Sequence, residues 1–425
     1  MRMIQSATER QADAVIRIEQ ARFTASSTRR LPVVVGFAAA VWFMLLSGWL
    51  GVTPGTVIAK RHNVLFSSDS ALWAQRMIGD EWPAAHVVHP LETFLWRPPI
   101  RALQHLFGLF LPWDYAGLLA ARLVVALVAG VGVGFMAFLA LHQGIKTTQL
   151  ILLFIMYLLF TCNSTAALPE HFGISNGLLS IAFVFPIVAA SPELRALVLV
   201  VLTVLCGGTT ITNVLFPAVS YLHYCVRSMR TKIYAATAMV VGGLGAFVFL
   251  YIRTWVLSHY IAKYKNLRLL YHPLKAGLYA IYAMVAPVIG PSPRVLRFPG
   301  WDMVSYEPGL EPIHVSYYFG FQAIGAIAWI VLFLTCLYKA LRDESTRTYM
   351  WLPLGWLLFN VILHNIWGDE FVLYSPHWSW ALMGIVILGA RDLSRRFIAA
   401  IVVPVVASQI YTLFAIKQAL QTIVQ

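Results

Sequence analysis

The sequence predicts an all-α integral membrane protein with about eleven transmembrane helices and juxtamembrane amphipathic helices in a long first extracytoplasmic loop. Three observations carry that expectation. Of 425 residues, 59% are apolar and 12% charged, against roughly 25% charged in soluble globular domains, and the mean hydropathy is +0.73. Apolar runs of membrane-crossing length recur along the chain. No Gly/Ser/Pro-rich or single-sign run marks off a large polar domain, so the chain divides into a basic N-terminus, 1–30, and one polytopic domain, 31–425. A water-soluble enzyme is excluded. The net charge of +13 reads as Lys and Arg kept on cytoplasmic loops. No zinc-finger spacing, RNA-binding signature or basic-aromatic tract points to nucleic acid.

Residues 1–30 hold Arg2, Arg10, Arg17, Arg22, Arg29 and Arg30 against Glu9, Asp13 and Glu19. The apolar run that follows, Leu31 to Val52, exceeds a signal-peptide core, so it reads as an uncleaved first span with a cytoplasmic N-terminus. Further spans are expected at 116–141, 148–162, 174–190, 233–256, 315–338, 349–366, 378–390 and 397–416. The stretch 194–224 is too long for one span and is interrupted by Gly207-Gly208-Thr209-Thr210. Two short helices meeting at that interruption fit better, because broken backbone is tolerated where protein or water satisfies it. Residues 93–111 mix Arg97, Arg101, Gln104 and His105 with an apolar stripe and read as an interfacial helix. Residues 276–290 read as re-entrant or interfacial. Arg122 and Arg253, the two basic residues inside spans, lie near enough to an end to snorkel. Cys162, Cys206, Cys225 and Cys336 are far apart, form no CxxC, and read as small packing residues.

Charge orders these elements. The segments 1–30, 142–147, 191–195, 225–232, 339–347 and 391–396 are rich in Arg and Lys, whereas the loops 54–115, 163–173, 257–314 and 367–377 are poorer for their length. The positive-inside rule places the first set in the cytoplasm. The carboxylates then collect outside: Asp69, Asp80, Glu81, Glu92, Asp114, Glu170, Asp302, Glu307, Glu311, Asp369 and Glu370. None lies inside a span, which counts against proton-coupled transport.

Within the outer loops, Asp69 follows two serines and opens Ser70-Ala71-Leu72-Trp73-Ala74-Gln75. That position suits a helix cap, and equally a carboxylate fixed beside the membrane as a general base. His86 and His89 are three apart, but Pro90 argues against the regular helix that would aim both at one metal. They read as hydrogen-bonding or acceptor-contact residues. Two further motifs stand out: Leu168-Pro169-Glu170-His171-Phe172-Gly173, and the loop carrying Asp369, Glu370, Tyr374 and His377. Sugar transfer from a lipid phosphate would give these pieces one purpose. A carboxylate takes the proton of the incoming hydroxyl, and cations hold the phosphate at the interface. Lys263, Lys265, Arg268, Arg294 and Arg297 are available for the phosphate, or for anionic lipid head groups.

An Asp soon after the first span, followed by His89-Pro90-Leu91 leading into an amphipathic helix, resembles the GT-C superfamily of polytopic glycosyltransferases. These use polyprenyl-phosphate-linked sugars, as in the protein mannosyltransferase and aminoarabinose transferase relatives. The resemblance covers 31 to about 225, including the break at Gly207–Thr210, and beyond that only the general layout. It implies Asp69 as base, Glu170 as a second outer carboxylate, an inverting transfer to a glycan, lipid or protein acceptor, and a bacterial inner-membrane location. The sequence departs from the family where Asp69 is followed by Ser70 and Ala71 rather than by a further carboxylate. No Asp-x-Asp motif therefore supports a divalent metal, and no cofactor is assigned. A lipid or polysaccharide transporter and an envelope polysaccharide polymerase or ligase stay open as alternatives.

Overall fold

The computed structural model describes residues 26–54, 56, 64–66, 68, 70–79, 89, 91–226, 280–298, 301–305, 320–366 and 371–424. The helices are α1 (Ser26–Leu50), α2 (Ser70–Ile78), α3 (Glu92–Gly108), α4 (Trp113–His142), α5 (Thr147–Leu158), α6 (Asn163–Ala166), α7 (His171–Val188), α8 (Pro192–Thr209) and α9 (Leu215–Tyr224). A hairpin, β1 (Arg294–Phe298) and β2 (Trp301–Ser305), comes next. Then follow α10 (Phe321–Arg342), α11 (Glu344–Ile366), α12 (Phe371–Tyr374), α13 (Pro376–Ala390) and α14 (Arg395–Val424).

Six helices among the described residues are long and apolar enough to cross a membrane: Arg30–Leu50 of α1, then α4, α7, α8, α10 and most of α14. The outward faces are apolar at helical spacing. Val33, Phe37, Val41 and Leu45 lie exposed along α1, and Ile324, Ile327, Val331 and Leu334 along α10. A contiguous apolar exterior of this extent is disfavoured in water and matched to lipid. The chain is thus an almost wholly helical, multi-pass membrane protein. The expected count of about eleven is not reached among the described residues. The predicted spans 148–162 and 378–390 fold as the shorter apolar helices α5 and α13, and 349–366 lies within α11. Span 233–256 is outside the described residues.

The centre of the bundle is α13, buried at every position from Pro376 to Ala390. Glycines bring α1, α4 and α7 together. A Cβ on Gly130 would lie 2.6 Å from the Gly36 carbonyl oxygen, and one on Gly132 would lie 2.5 Å from the Gly177 Cα. Backbones can approach this closely only where both sides lack a side chain, the packing mode that replaces the hydrophobic effect inside lipid. A buried relay ties α5, α7 and α13: Tyr157 Oη donates to Asn176 Oδ1 (3.1 Å), and Asn176 Nδ2 donates to Ser379 Oγ (2.8 Å). Cys162, Cys206 and Cys336 are buried free thiols, consistent with packing.

Three sequence expectations are refined. First, α3 is amphipathic in the reverse sense of a water-facing helix. Glu92, Thr93, Arg97 and Gln104 are buried, while Phe94 and Leu106 are exposed. Arg97 Nη2 donates to the Gly79 carbonyl (2.7 Å), and Arg101 Nη1 donates to that of Ile78. The two guanidiniums therefore cap the open C-terminal end of α2. Second, Arg122 does not snorkel. Its Nη2 and Nη1 donate to the carbonyls of Met44 (2.7 Å) and Val52 (3.1 Å) at the end of α1. Third, residues 280–290 are a buried helical turn and loop rather than an interfacial helix. Trp378 binds the Ala283 carbonyl, Trp329 that of Met284, Gln409 that of Val288, and Gln322 that of Gly290. Side chains of surrounding helices thus satisfy carbonyls of the last helical turn and of the loop that follows it, as buried backbone requires.

The interrupted helix predicted at 207–210 is present. The Thr209 hydroxyl bonds back to the Leu205 carbonyl (2.8 Å), Thr210 is extended, and a 3-10 turn (Ile211–Val214) leads into α9. This releases the Gly208 and Thr209 carbonyls from helical bonding, and both are used by the segment that leads into α3.

Candidate functional site

The start of α3 docks on the broken helix. Leu91 N donates to the Gly208 carbonyl (3.0 Å), and Trp96 Nε1 donates to the Thr209 hydroxyl (2.9 Å). His89 Nδ1 lies 2.7 Å from the Thr209 carbonyl. A carbonyl only accepts, so Nδ1 carries a proton in this bond, and the Thr210 hydroxyl lies 3.4 Å from the same nitrogen. Gly208 makes this docking possible, since a Cβ there would sit 2.9 Å from Leu91 Cβ and Leu95 Cδ1. We expect Gly208→Val to displace α3 and lower the apparent melting temperature by several degrees, equivalent to roughly 1–3 kcal/mol of overpacking. Gly208→Ala should cost less. An unchanged melting temperature in both variants would show that α3 does not depend on this contact.

One helical turn beyond His89 lies Glu92, 1% exposed, whose Oε1 accepts from Trp73 Nε1 of α2. Burial pushes its carboxyl up to about 8, against the lowering effects of the Trp73 bond and the Arg76 charge. Opposite stands His171, the first residue of α7, with Nδ1 3.8 Å from Glu92 Oε1 and its ring centroid 4.1 Å from that of His89. The ligand atoms of His89, Glu92 and His171 all fall within 4.8 Å of one another.

An aromatic row continues from this cluster. Phe172 lies 4.2 Å from His171, 5.4 Å from His377 and 6.0 Å from Tyr374, centroid to centroid. His377, at the start of α13, is 6.0 Å from His171, and its Nδ1 accepts from Asn213 Nδ2 (3.1 Å). His364, at the end of α11, stacks on Tyr374 at 4.7 Å and meets Trp378 at 5.2 Å. Imidazoles and aromatic rings from the segment before α3 and from α7, α11, α12 and α13 therefore share one end of the bundle.

Of the residues singled out from sequence, His89, His171, Tyr374 and His377 come together here. Glu170 is 2% exposed and immediately precedes His171 as the residue before α7. Arg294 and Arg297 lie on β1, opposite Ser305 and Asp302 of β2. That hairpin adjoins the segment before α2, where Phe66 N donates to the Val304 carbonyl (2.7 Å) and Val304 N donates to the Val64 carbonyl (2.8 Å). Asp69, His86, Lys263, Lys265, Arg268, Asp369 and Glu370 lie outside the described residues. Sequence reasoning gave no role to Glu92, Trp73, Asn213 or His364. The available signal for Glu92 was its place one turn after His89 at a helix start. In comparisons with protein-family models, curated proteins and solved structures, nothing matches this chain.

Proposed function

We propose that this chain is a membrane glycosyltransferase, moving a sugar from a polyprenyl-phosphate-linked donor to a hydroxyl of a glycan, lipid or protein acceptor. The reading places about eleven spans in a bacterial inner membrane, with the N-terminus cytoplasmic and the reaction on the extracytoplasmic face. The observation that supports it is the gathering of His89, Glu92, His171, His377 and Tyr374, from separate stretches of the chain, at one end of an apolar bundle. Aromatic faces and imidazole donors are suited to a sugar, whose hydroxyls take hydrogen bonds and whose ring carbons stack. In the reaction, the acceptor oxygen bonds to the anomeric carbon as the phosphate–sugar bond breaks. The hydroxyl proton passes to Asp69, and the polyprenyl phosphate leaves with its negative charge held by cations. Glu170, next to His171, would be a second catalytic carboxylate, and Asp369 and Glu370 would serve substrate binding.

Lipid extracted from the purified full chain should contain a polyprenyl-phosphate sugar by mass spectrometry, and adding that lipid with acceptor membranes should yield glycosidic product. Movement of the lipid across vesicles without product would favour a transporter instead.

The side of the membrane is tested by cysteine labelling at exposed positions, because Ser68, Ser305 and Ser375 in the predicted outer loops are buried. With Cys225 replaced, an impermeant thiol reagent should reach Thr53→Cys and Asp114→Cys from outside, and should miss Thr148→Cys and Ser345→Cys. The reverse pattern would place the histidine cluster in the cytoplasm.

A further inference from the structure

We propose that His89, Glu92 and His171 form a binding site for one divalent transition-metal ion, with zinc the expected occupant. Two imidazoles and one carboxylate are a donor set of catalytic zinc sites, which keep the fourth position for water or a substrate oxygen. Magnesium and calcium demand oxygen ligands and fit this set poorly. The spacing is close to what coordination needs. Metal–ligand bonds of about 2.0–2.2 Å in a tetrahedron put donors roughly 3.4 Å apart, and His171 Nδ1 already lies 3.8 Å from Glu92 Oε1.

The surroundings are arranged as metal ligands require. The Thr209 carbonyl, 2.7 Å from His89 Nδ1, is the kind of backbone acceptor that orients a ligating imidazole and would leave Nε2 to the ion. The Trp73 indole orients the Glu92 carboxylate. Glu92 and His171 are buried, at 1% and 8% exposed, and His89 is half-buried, so two of the three ligands are shielded from bulk water and the third leaves a way in for the ion. His377 stays outside the set, because the Asn213 amide bonds its Nδ1. The three ligands belong to the start of α3 and the start of α7. A bound ion would therefore clip the peripheral helix to the bundle beside the broken end of α8. The fourth position would accept water or an anionic oxygen such as that of a phosphate.

The proposal concerns metal content and stands whether or not the chain transfers sugar. The full chain is purified in detergent with any affinity tag removed, stripped with a chelator, reloaded with zinc chloride and desalted. Metal is then counted by plasma mass spectrometry. One zinc per chain is expected for the wild type. His89→Ala, Glu92→Gln and His171→Ala should each fall well below it while eluting as monodisperse protein. Trp73→Phe, which keeps every ligand and removes only the orienting indole donor, should weaken zinc affinity about 10–100-fold. Cobalt(II) in the wild type should give the visible bands of a four-coordinate ion, a readout independent of any variant's folding. A wild-type chain that retains no zinc and shows no such cobalt bands overturns the site. Equal zinc in the wild type and all three ligand variants overturns it too, by placing the metal elsewhere.

Discussion

Asp69→Asn is expected to lower sugar transfer by a factor on the order of 10²–10⁴, the contribution of a positioned general base, with protein level and donor-lipid binding little changed. Asparagine keeps the size and the capping ability of aspartate, so a helix-cap role would survive the change and a base would not. The neighbouring residues explain why this position should be close to the chemistry. Ser68 and Ser70 are buried, and the Ser70 hydroxyl donates to Ser68 Oγ (3.2 Å). Ser70 opens α2, and one turn later Trp73 reaches Glu92. The chain from Ser70 onward is thus tied through a single short helix to the histidine cluster. Steady-state rates at saturating donor, with donor affinity measured separately, separate loss of chemistry from loss of binding. Near-normal turnover in Asp69→Asn would return the residue to its cap and move the search for the base to Glu170.

The helices were largely legible in the sequence, because lipid selects for long apolar runs and each run shows locally. The break at Gly207–Thr210 was legible for the same reason, since two glycines and a back-bonding threonine, Thr209, weaken a helix wherever they sit. What the break is for was not. The Gly208 and Thr209 carbonyls are taken by Leu91 and His89, over a hundred positions earlier, and no local pattern encodes that partnership. The amphipathicity of α3 was visible, but its direction depends on the solvent. In lipid the polar stripe of Glu92, Arg97 and Gln104 turns inward.

The same reversal hid Glu92, which reads from sequence as an ordinary acid in a helix's first turn. Arg122 looked like a snorkelling residue because its acceptors, the carbonyls of Met44 in α1 and of Val52 just after it, are some seventy positions away in sequence. The β1–β2 hairpin was missed altogether although Pro299-Gly300 between its strands is a turn signal. His364 and Asn213 were passed over because each sits inside an apolar run, and only the packing of α9, α11 and α13 brings them to the aromatic row.

Neutralising the cation that holds the donor phosphate should weaken donor binding about ten- to a hundredfold, since a charge-assisted hydrogen bond contributes roughly 1.5–3 kcal/mol. The group is Lys263, Lys265, Arg268, Arg294 and Arg297, and the fold separates its last two members. Arg297 is opposite Asp302 across the hairpin and Arg294 is opposite Ser305. Alternate residues of a strand point to opposite sides, and the odd spacing of 294 and 297 keeps these two guanidiniums from sharing one phosphate on one face. Arg294→Ala and Arg297→Ala are therefore expected to differ in effect, with at most one of them lowering donor affinity this far. Lysine at the critical arginine should restore part of the loss, and glutamate should abolish binding, because repulsion then replaces attraction at the same distance. The dependence should steepen at low salt if the cation is exposed and persist in high salt if it is enclosed. Suppose instead that all five are replaced singly and donor affinity never moves. The cluster then anchors lipid head groups, and the phosphate must be sought elsewhere, first around His377 and Arg61, a cation of the loop 54–115.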